Sequence, residues 1–446
     1  MHVVVIGAGI GGLCLAQGLR RAGVSVAVYE RDRESTARVQ GYRVHIDPMG
    51  SKALNHELPP VLWQAFVDTA GDPGTTGFGF LTEQMRTMCL VEDEIFRHGK
   101  TDAANGHHAV SRVTLRTLLL AGLDDVVHFD KEFVRYERDA DGRVTAEFAD
   151  GTTATGDVLV GADGTNSRVR AQYLPNAEKV DVGAAGIGGK LYLDDETRKW
   201  VGERISGGMN VIMGPRDFLF TAVFNRRRSL AQTQELLGDK LSAAGFDPAA
   251  LLSGIETRDY LLWAFITRTE NCPADADGER LRDFVGARME TWNPTLRRII
   301  SDTEAETVNL FAFRSSLPLK PWESTNITLL GDAVHSMTPA GGVGANTALQ
   351  DAALLAHALT EVDNGRGELV PAIHDYEAKM LVYGFANVRK SLTRAKQAKE
   401  NRISRAFSRT FLRTCGLIPA LRRVVFEENW SADSDVLPAE TVAKQD

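Results

Sequence analysis

The chain has 446 residues, 43% of them hydrophobic and 25% charged, which fits a globular protein of two or three compact units and excludes a disordered or fibrous one. A net charge of −8 argues against a nucleic-acid partner, because proteins that grip phosphate backbones display basic surfaces. Cys14, Cys89, Cys272 and Cys415 lie far apart and form no CxxC pair, so neither a disulfide framework nor a cysteine metal site is expected, and a reducing cytoplasm suits them.

The chain opens with "HVVVIGAGIGGLCLAQGLRRAGVSVAVYERD", read as a buried strand, a glycine turn, an amphipathic helix and a second strand. The run has no basic leader and is broken by glycines, so it is folded structure rather than a signal peptide. No other stretch approaches the roughly 20 apolar residues of a membrane span. Gly7, Gly9 and Gly12 match GxGxxG. The first permits a tight turn, the second lets backbone approach a pyrophosphate, and the third lets helix pack on strand. Glu30 closes the second strand, where a carboxylate can accept hydrogen bonds from ribose hydroxyls. Strand, glycines, helix and terminal acid in register predict a site for a dinucleotide with an unphosphorylated ribose, FAD or NAD.

Next come "GYRVHI" and then the adjacent His107 and His108, for which a surface loop is a better reading than a metal site, since no third ligand stands at helical spacing. "SRVTLRTLL" places Arg112 at the start of a helix. "DVLVGADGTNSRVR" is a buried strand ending in Asp163 and Gly164, with Arg168 and Arg170 beyond. Between residues 178 and 305, runs such as "FLFTAVFNR" and "YLLWAFITR" predict strands of a mixed sheet. "NITLLGDAVHSMTPAGGVGANTALQDAALLAHAL" is again a strand, a glycine turn, a Gly- and Pro-rich loop and a long helix. Asp332 falls at the strand's C-terminal end, where open α/β sheets bind ligands. Gly341, Gly342 and Gly344 allow backbone to lie against a flat ring, with the helix beginning near Asn346 pointing its N-terminus at it.

From Leu381 to Arg423 the chain turns basic, with Leu381, Phe385, Val388, Leu392 and Ala395 at helical spacing. A peripheral membrane or partner-binding helix is one reading. The favoured one is a structural helix covering the substrate domain with a solvated basic face.

Together and in this order, the GxGxxG, DG and GD segments resemble the FAD-dependent monooxygenases of the aromatic hydroxylase group, of the compact type similar to salicylate hydroxylase and the tetracycline- and rifampicin-inactivating enzymes. The resemblance implies an α/β fold: a Rossmann-like FAD-binding domain (residues 1–70, 106–177 and 306–375), a mixed β-sheet substrate domain (71–105 and 178–305) and a C-terminal helical segment (376–446). It implies that Glu30 binds the adenosine ribose, with Arg31 also among the cofactor residues, and that Arg38 and Arg112 hold FAD near its ribityl and pyrophosphate portions. Asp332 would bind the ribityl chain, and Asp163 would support cofactor and NAD(P)H contacts. Gly342, Gly344, Ala345 and Asn346 would lie beside the isoalloxazine, with Pro339 shaping the loop and "GYRVHI" on the ring's other side. No catalytic side chain is singled out, because in the family the flavin performs the chemistry, carrying oxygen from O2 as a C4a-hydroperoxide to an electron-rich substrate.

FAD is expected to be non-covalent, since no His or Cys occupies an attachment position. NADPH or NADH would be a transient co-substrate, because there is no second complete fingerprint. Arg168, Arg170 and the basic C-terminal face are candidates for attracting its phosphates. The substrate is expected to be a small, apolar, aromatic or polycyclic molecule. Identical motifs also serve a flavin dehydrogenase or reductase, and a non-catalytic FAD-binding protein is a third reading.

Overall fold

A computed structural model of the protein describes residues 1–34, 42–72, 76–92, 102–273, 275–396 and 402–431. Arg38 therefore lies outside the described residues.

The N-terminal strand His2–Ile6 is apolar on both faces, with Val3, Val4 and Val5 at 0% exposure, as a parallel strand covered by helices on both sides requires. It sits in the middle of a five-stranded parallel sheet in the order Ile327–Leu329, Val158–Gly161, His2–Ile6, Ser25–Tyr29, Val127–His128. Counted along the chain, that order is 5-4-1-2-3. The direction of winding reverses between His2–Ile6 and Val158–Gly161, which opens a crevice at their C-terminal ends. The glycine loop and the DG segment leave the sheet at those two ends.

A second, larger sheet forms the other wall. Its main path runs Asn309–Ser316, Lys179–Tyr192, Tyr260–Arg268, Phe218–Arg226, Met209–Met213, Phe78–Thr82, Thr87–Val91. The pairings are antiparallel except for Met209–Met213 on Phe78–Thr82. The two apolar runs expected as strands coincide with Phe218–Arg226 and Tyr260–Arg268 residue for residue. Period-2 alternation divides Tyr260–Arg268. Leu261, Trp263 and Phe265 are buried against the helices Gly278–Arg288 and Pro294–Ser301, while Leu262, Ala264 and Ile266 face the cleft between the sheets. Asn309–Ser316 pairs with Lys179–Tyr192, so the chain rejoins the parallel sheet at Ile327, later than the expected residue 306.

The helix Arg402–Leu417 packs on the Thr87–Val91 edge of the large sheet through Leu412 and Cys415. This agrees with a covering helix, and Arg389, Lys390, Arg413 and Arg423 are exposed as a solvated basic face requires, but three other arginines of the segment are not. Arg405 is 4% exposed, reaches the Gly214 carbonyl and lies over the Phe218 ring. Arg409 binds Glu83 and the Met213 carbonyl, and Arg422 binds Glu92. Arginine stems cover apolar surface while their heads find carbonyls and carboxylates, so helical spacing alone misassigned these cations to water. Among the described residues no helix is long and apolar enough to cross a membrane.

Candidate functional site

The glycine loop is built as a cradle. Gly7 has φ +110°, and a Cβ there would meet the Ala162 carbonyl oxygen at 2.5 Å. Only glycine permits the first strand to turn that close to the DG segment. A Cβ on Gly12 would overlap the Gly7 carbonyl, whereas one on Gly9 would meet nothing within 4 Å. The space in front of Gly9 opens onto the cleft. The helix Ile10–Arg21 begins immediately after, with no side-chain cap and no acidic residue in its first turn, leaving its N–H groups to an external anion.

Glu30 is 7% exposed and works for the loop as well as lining the cleft. It accepts hydrogen bonds from the Ala8 N–H at 2.7 Å and the Asp32 N–H at 3.0 Å. This loop-bracing role was not foreseen. Arg31 is exposed on the cleft wall.

On the facing strand end, Gly164 turns with φ +77°. Asp163 Oδ2 accepts from the Arg168 and Val169 N–H groups at 2.7 and 3.3 Å, while the buried Oδ1 has no partner. Burial raises the Asp163 pKa despite these bonds. Arg170 is 6% exposed and donates to the Ala333 carbonyl at 2.6 Å and the Thr165 carbonyl at 3.2 Å, and Arg168 pairs with Glu132 at 2.6 Å. Arg170 is thus held by the chain's own carbonyls, while Arg168, in an exposed ion pair, lines the cleft.

Gly331 turns with φ +61° into the short helix Asp332–His335. Asp332 lines the cleft and is exposed to solvent, although it lies deep within the surrounding chain. Burial raises its pKa, partly offset by the charges of His335 and Arg112 and by a hydrogen bond from Thr165. Arg112 stands on the same cleft at the start of its helix, its N–H bonded to the Tyr42 carbonyl at 3.0 Å.

Behind Asp332 is a buried polar network that sequence reasoning missed. His335 Nε2 meets Asp351 Oδ2 at 2.7 Å. The same carboxylate accepts the Gly331 N–H at 2.7 Å and the Tyr383 hydroxyl at 2.5 Å. Burial alone would lower the His335 pKa, but the charge and hydrogen bond of Asp351 outweigh it and raise it. The i, i+16 spacing of His335 and Asp351 across a glycine loop gives no periodic signal.

Pro339–Gly341 form one 3-10 turn, and Gly342 continues it in the left-handed region at φ +65°, with nothing within 4 Å of a Cβ. The long helix Gly344–Asp363 then starts without a side-chain cap or an acidic residue in its first turn. Thr338 ties the loop to Ser391 at 2.6 Å. Pro339, Gly342, Gly344 and Ala345 line the cleft. Asn346 is placed differently. Its side chain is fully buried, accepting from the Asp47 N–H at 3.0 Å and donating to the His45 carbonyl at 2.9 Å. It clamps the end of strand Arg43–Ile46 to the helix start. His107 stacks on His45, with Nδ1 3.1 Å from its Nε2, and His108 meets the Ala103 carbonyl at 2.9 Å.

These parts line one continuous cleft of about 3530 Å³, over three times the roughly 1,000 Å³ upper end of ordinary ligand pockets. There is room for a dinucleotide and a second molecule. At the large-sheet end the wall is apolar, with Phe78, Phe80, Phe218, Phe220, Phe311 and Phe313 facing in. The residues fit FAD: open space at Gly9 and Gly342, two uncapped helix N-termini, and the unpartnered Asp163 Oδ1 all await polar or planar groups.

Comparison with known proteins agrees. A profile of the FAD binding domain family matches residues 119–390, and one of the NAD(P)-binding Rossmann-like domain family matches residues 5–69. The chain is 33% identical over 418 residues to the dual O-methyltransferase/FAD-dependent monooxygenase CTB3 of Cercospora beticola, covering 87% of this chain and 45% of that protein. It thus spans about half the length of the curated relatives it matches first. A crystal structure from Photorhabdus luminescens subsp. laumondii TTO1, described provisionally as an FAD containing monooxygenase, superposes with a TM-score of 0.75 at 36% identity, over 89% of this chain and 98% of that one. Klebsiella pneumoniae HpxO complexed with FAD and uric acid shares the fold, with a TM-score of 0.73 at 22% identity over 97% of each chain. With a profile match over more than half its length and a cleft shaped for the cofactor, the chain belongs to the FAD binding domain family, alongside the FAD-dependent monooxygenases.

Proposed function

We propose that this protein is an NAD(P)H-dependent FAD monooxygenase of the cytoplasm that inserts one atom of O2 into a small, mostly apolar, aromatic or polycyclic molecule. The observation that carries this reading is the continuity of the cleft: six phenylalanines line the same space as the glycine loop, Asp332 and the Pro339–Ala345 loop. An apolar, ring-sized wall facing the place of a flavin suits a flat substrate.

FAD, when bound, supplies hydride acceptance and the activation of O2. The chain's residues bind and orient. Gly7, Gly9 and Gly12 present backbone and a helix N-terminus to the pyrophosphate, Glu30 and Arg31 take the adenosine ribose end, and Arg112, with Arg38, lies along the ribityl and pyrophosphate portion. Asp332 accepts from ribityl hydroxyls, and Asp163 uses its spare Oδ1 on the cofactor or the nicotinamide donor. Gly342, Gly344 and Ala345 lie against the ring, held by Asn346, and the uncapped N-terminus of Gly344–Asp363 stabilises negative charge on the reduced ring. The large sheet and the C-terminal helix exclude water from the substrate. NAD(P)H visits a shallow groove, and binding of FAD is non-covalent.

The test is NADPH and NADH oxidation by the FAD-loaded protein with a panel of aromatic and polycyclic compounds. At least one should accelerate oxidation in proportion to O2 consumed. Acceleration that persists at full rate without O2 points instead to a reductase, with the added compound accepting the electrons in place of O2.

A further inference from the structure

The helix Arg402–Leu417 and the helix Pro419–Ser431 that follows it bury one face on the large sheet and present another to solvent. Ten large apolar side chains are exposed among the described residues, and five of them, Phe407, Phe411, Leu417, Ile418 and Val424, fall within 18 consecutive positions. Scattered apolar residues need no explanation, but a concentration of this kind marks a surface that meets something. Leu417 is 83% exposed at the corner between the helices, and Ile418, Pro419 and Ala420 after it are exposed as well. Thr410 and Thr414, on the same outer face, turn their hydroxyls to the helix's own Ala406 and Thr410 carbonyls at 3.0 and 3.1 Å. The strip also reaches the apolar end of the cleft. Phe407 and Phe411 line the cleft while remaining exposed, as does Val382 on the neighbouring helix, which puts all three at its mouth. From Phe407 to the Leu417 corner is about 15 Å along the helix. Charge accompanies the apolar strip. Residues 381–423 hold eleven Lys and Arg against one acid, Glu400, in a chain whose net charge is −8. Arg405, Arg409 and Arg422 are held inward, but Arg389, Arg413 and Arg423 are exposed and make no ion pair among the described residues. The helix Arg402–Leu417 contains no acidic residue. An aliphatic corner flanked by unpaired arginines is the composition of a helix that lies in a headgroup layer, its apolar side chains at the acyl boundary and its cations on lipid phosphates. The rest of the chain is acidic and is repelled by the same surface, so the contact has one orientation.

We propose that this face, from Phe407 and Phe411 through the Leu417–Ala420 corner to Val424, docks the protein on an anionic lipid surface and sets the mouth of the cleft against it. Arg413 and Arg423 meet the headgroups, and Leu417 and Ile418 enter the layer beneath. An apolar molecule dissolved in the bilayer would then reach the phenylalanine-lined end of the cleft without crossing water. That last consequence rests on the reading of the cleft as a substrate site, whereas the docking does not.

The test is co-sedimentation of the FAD-loaded full chain with phosphatidylcholine vesicles, with and without about one part in three of phosphatidylserine. Binding should be about ten-fold tighter or more on the anionic vesicles and should weaken as salt is added. The double variant Leu417→Ser/Ile418→Ser should lose about ten-fold or more in affinity for them, and Arg413→Gln/Arg423→Gln should lose a similar factor and show a shallower salt dependence. Both should melt and hold FAD as the parent does, since these four side chains are exposed and do not line the cleft. Orientation is read separately, with vesicles whose acyl chains are brominated. Phe407→Trp should gain fluorescence that these vesicles quench, whereas Leu236→Trp, exposed on the helix Leu230–Ala243, should not be quenched. The proposal is overturned by absence of binding to either vesicle, by equal binding to both, by binding that survives both double substitutions, or by equal quenching at the two tryptophans. A dimer that Leu417→Ser/Ile418→Ser abolishes, without vesicle binding, would overturn it in favour of self-association. Oxygenation is not read in these experiments, so failure of the functional reading would leave lipid docking intact, and an oxygenase indifferent to vesicles would do the reverse.

Discussion

Gly7 and Gly9 belong to one motif, yet alanine at each should fail for a different reason. Gly9 has φ −78° and ψ −180°, a conformation any residue adopts, and a Cβ there meets no atom within 4 Å. Gly9→Ala should therefore leave the apoprotein as stable as the parent, or up to about 1 kcal/mol more stable through reduced freedom of the unfolded chain. The added methyl stands where the pyrophosphate approaches backbone, so at least one charge-assisted hydrogen bond is lost. At roughly 1.5–3 kcal/mol, that is about a 10- to 150-fold weaker FAD affinity. Gly7→Ala puts a side chain at φ +110° and against the Ala162 carbonyl, and strain plus overlap should destabilise the fold itself by about 2 kcal/mol or more. Apoprotein melting and FAD titration by flavin fluorescence quenching separate the two. A Gly9→Ala apoprotein that melts as early as Gly7→Ala, or one that binds FAD as tightly as the parent, would refute the placement of the pyrophosphate at this loop.

Asp332→Ala should weaken FAD binding by about 1.5–3 kcal/mol through loss of a carboxylate facing ribityl hydroxyls, read in the same titration. Asn346→Ala removes two buried hydrogen bonds to the Asp47 N–H and His45 carbonyl. It should lower stability by about 2 kcal/mol and loosen FAD although the side chain never faces the cleft. Urea midpoints and FAD affinity check both effects. The His335–Asp351 pair gives a pH dependence. Because the folded His335 pKa is raised above the ordinary 6.5, its stabilisation is complete below that value and is lost as pH rises through the folded pKa. The melting-temperature gap between the parent and Asp351→Asn should therefore be widest in mildly acidic buffer and shrink toward alkaline pH, and a gap that widens would contradict the assignment. Acid denaturation should release FAD into the supernatant.

What the sequence made legible is what local backbone chemistry dictates. The glycine loop, Glu30, the DG turn and the GD loop each need particular residues within a few positions of one another. The strands Phe218–Arg226 and Tyr260–Arg268 announce themselves by apolar runs bounded by breakers. What stayed hidden depends on pairing across long separations. Whether Leu262 or Trp263 faces the cleft follows from the register with Lys179–Tyr192, which no local pattern fixes. Asn346 is held by His45 and Asp47, about 300 residues earlier, and does not line the cleft. Arg170, Arg405 and Arg409 are spent on carbonyls and carboxylates that a helical wheel cannot see.

The central claim is that this cleft places an aromatic substrate against a flavin that delivers oxygen. The direct measurement is mass spectrometry of products made by the FAD-loaded protein with NAD(P)H under 18O2, using whichever panel compound accelerates NAD(P)H oxidation. The account predicts a product carrying one 18O atom, and none when the label is supplied only as water. An oxidised product free of label from 18O2 would contradict it.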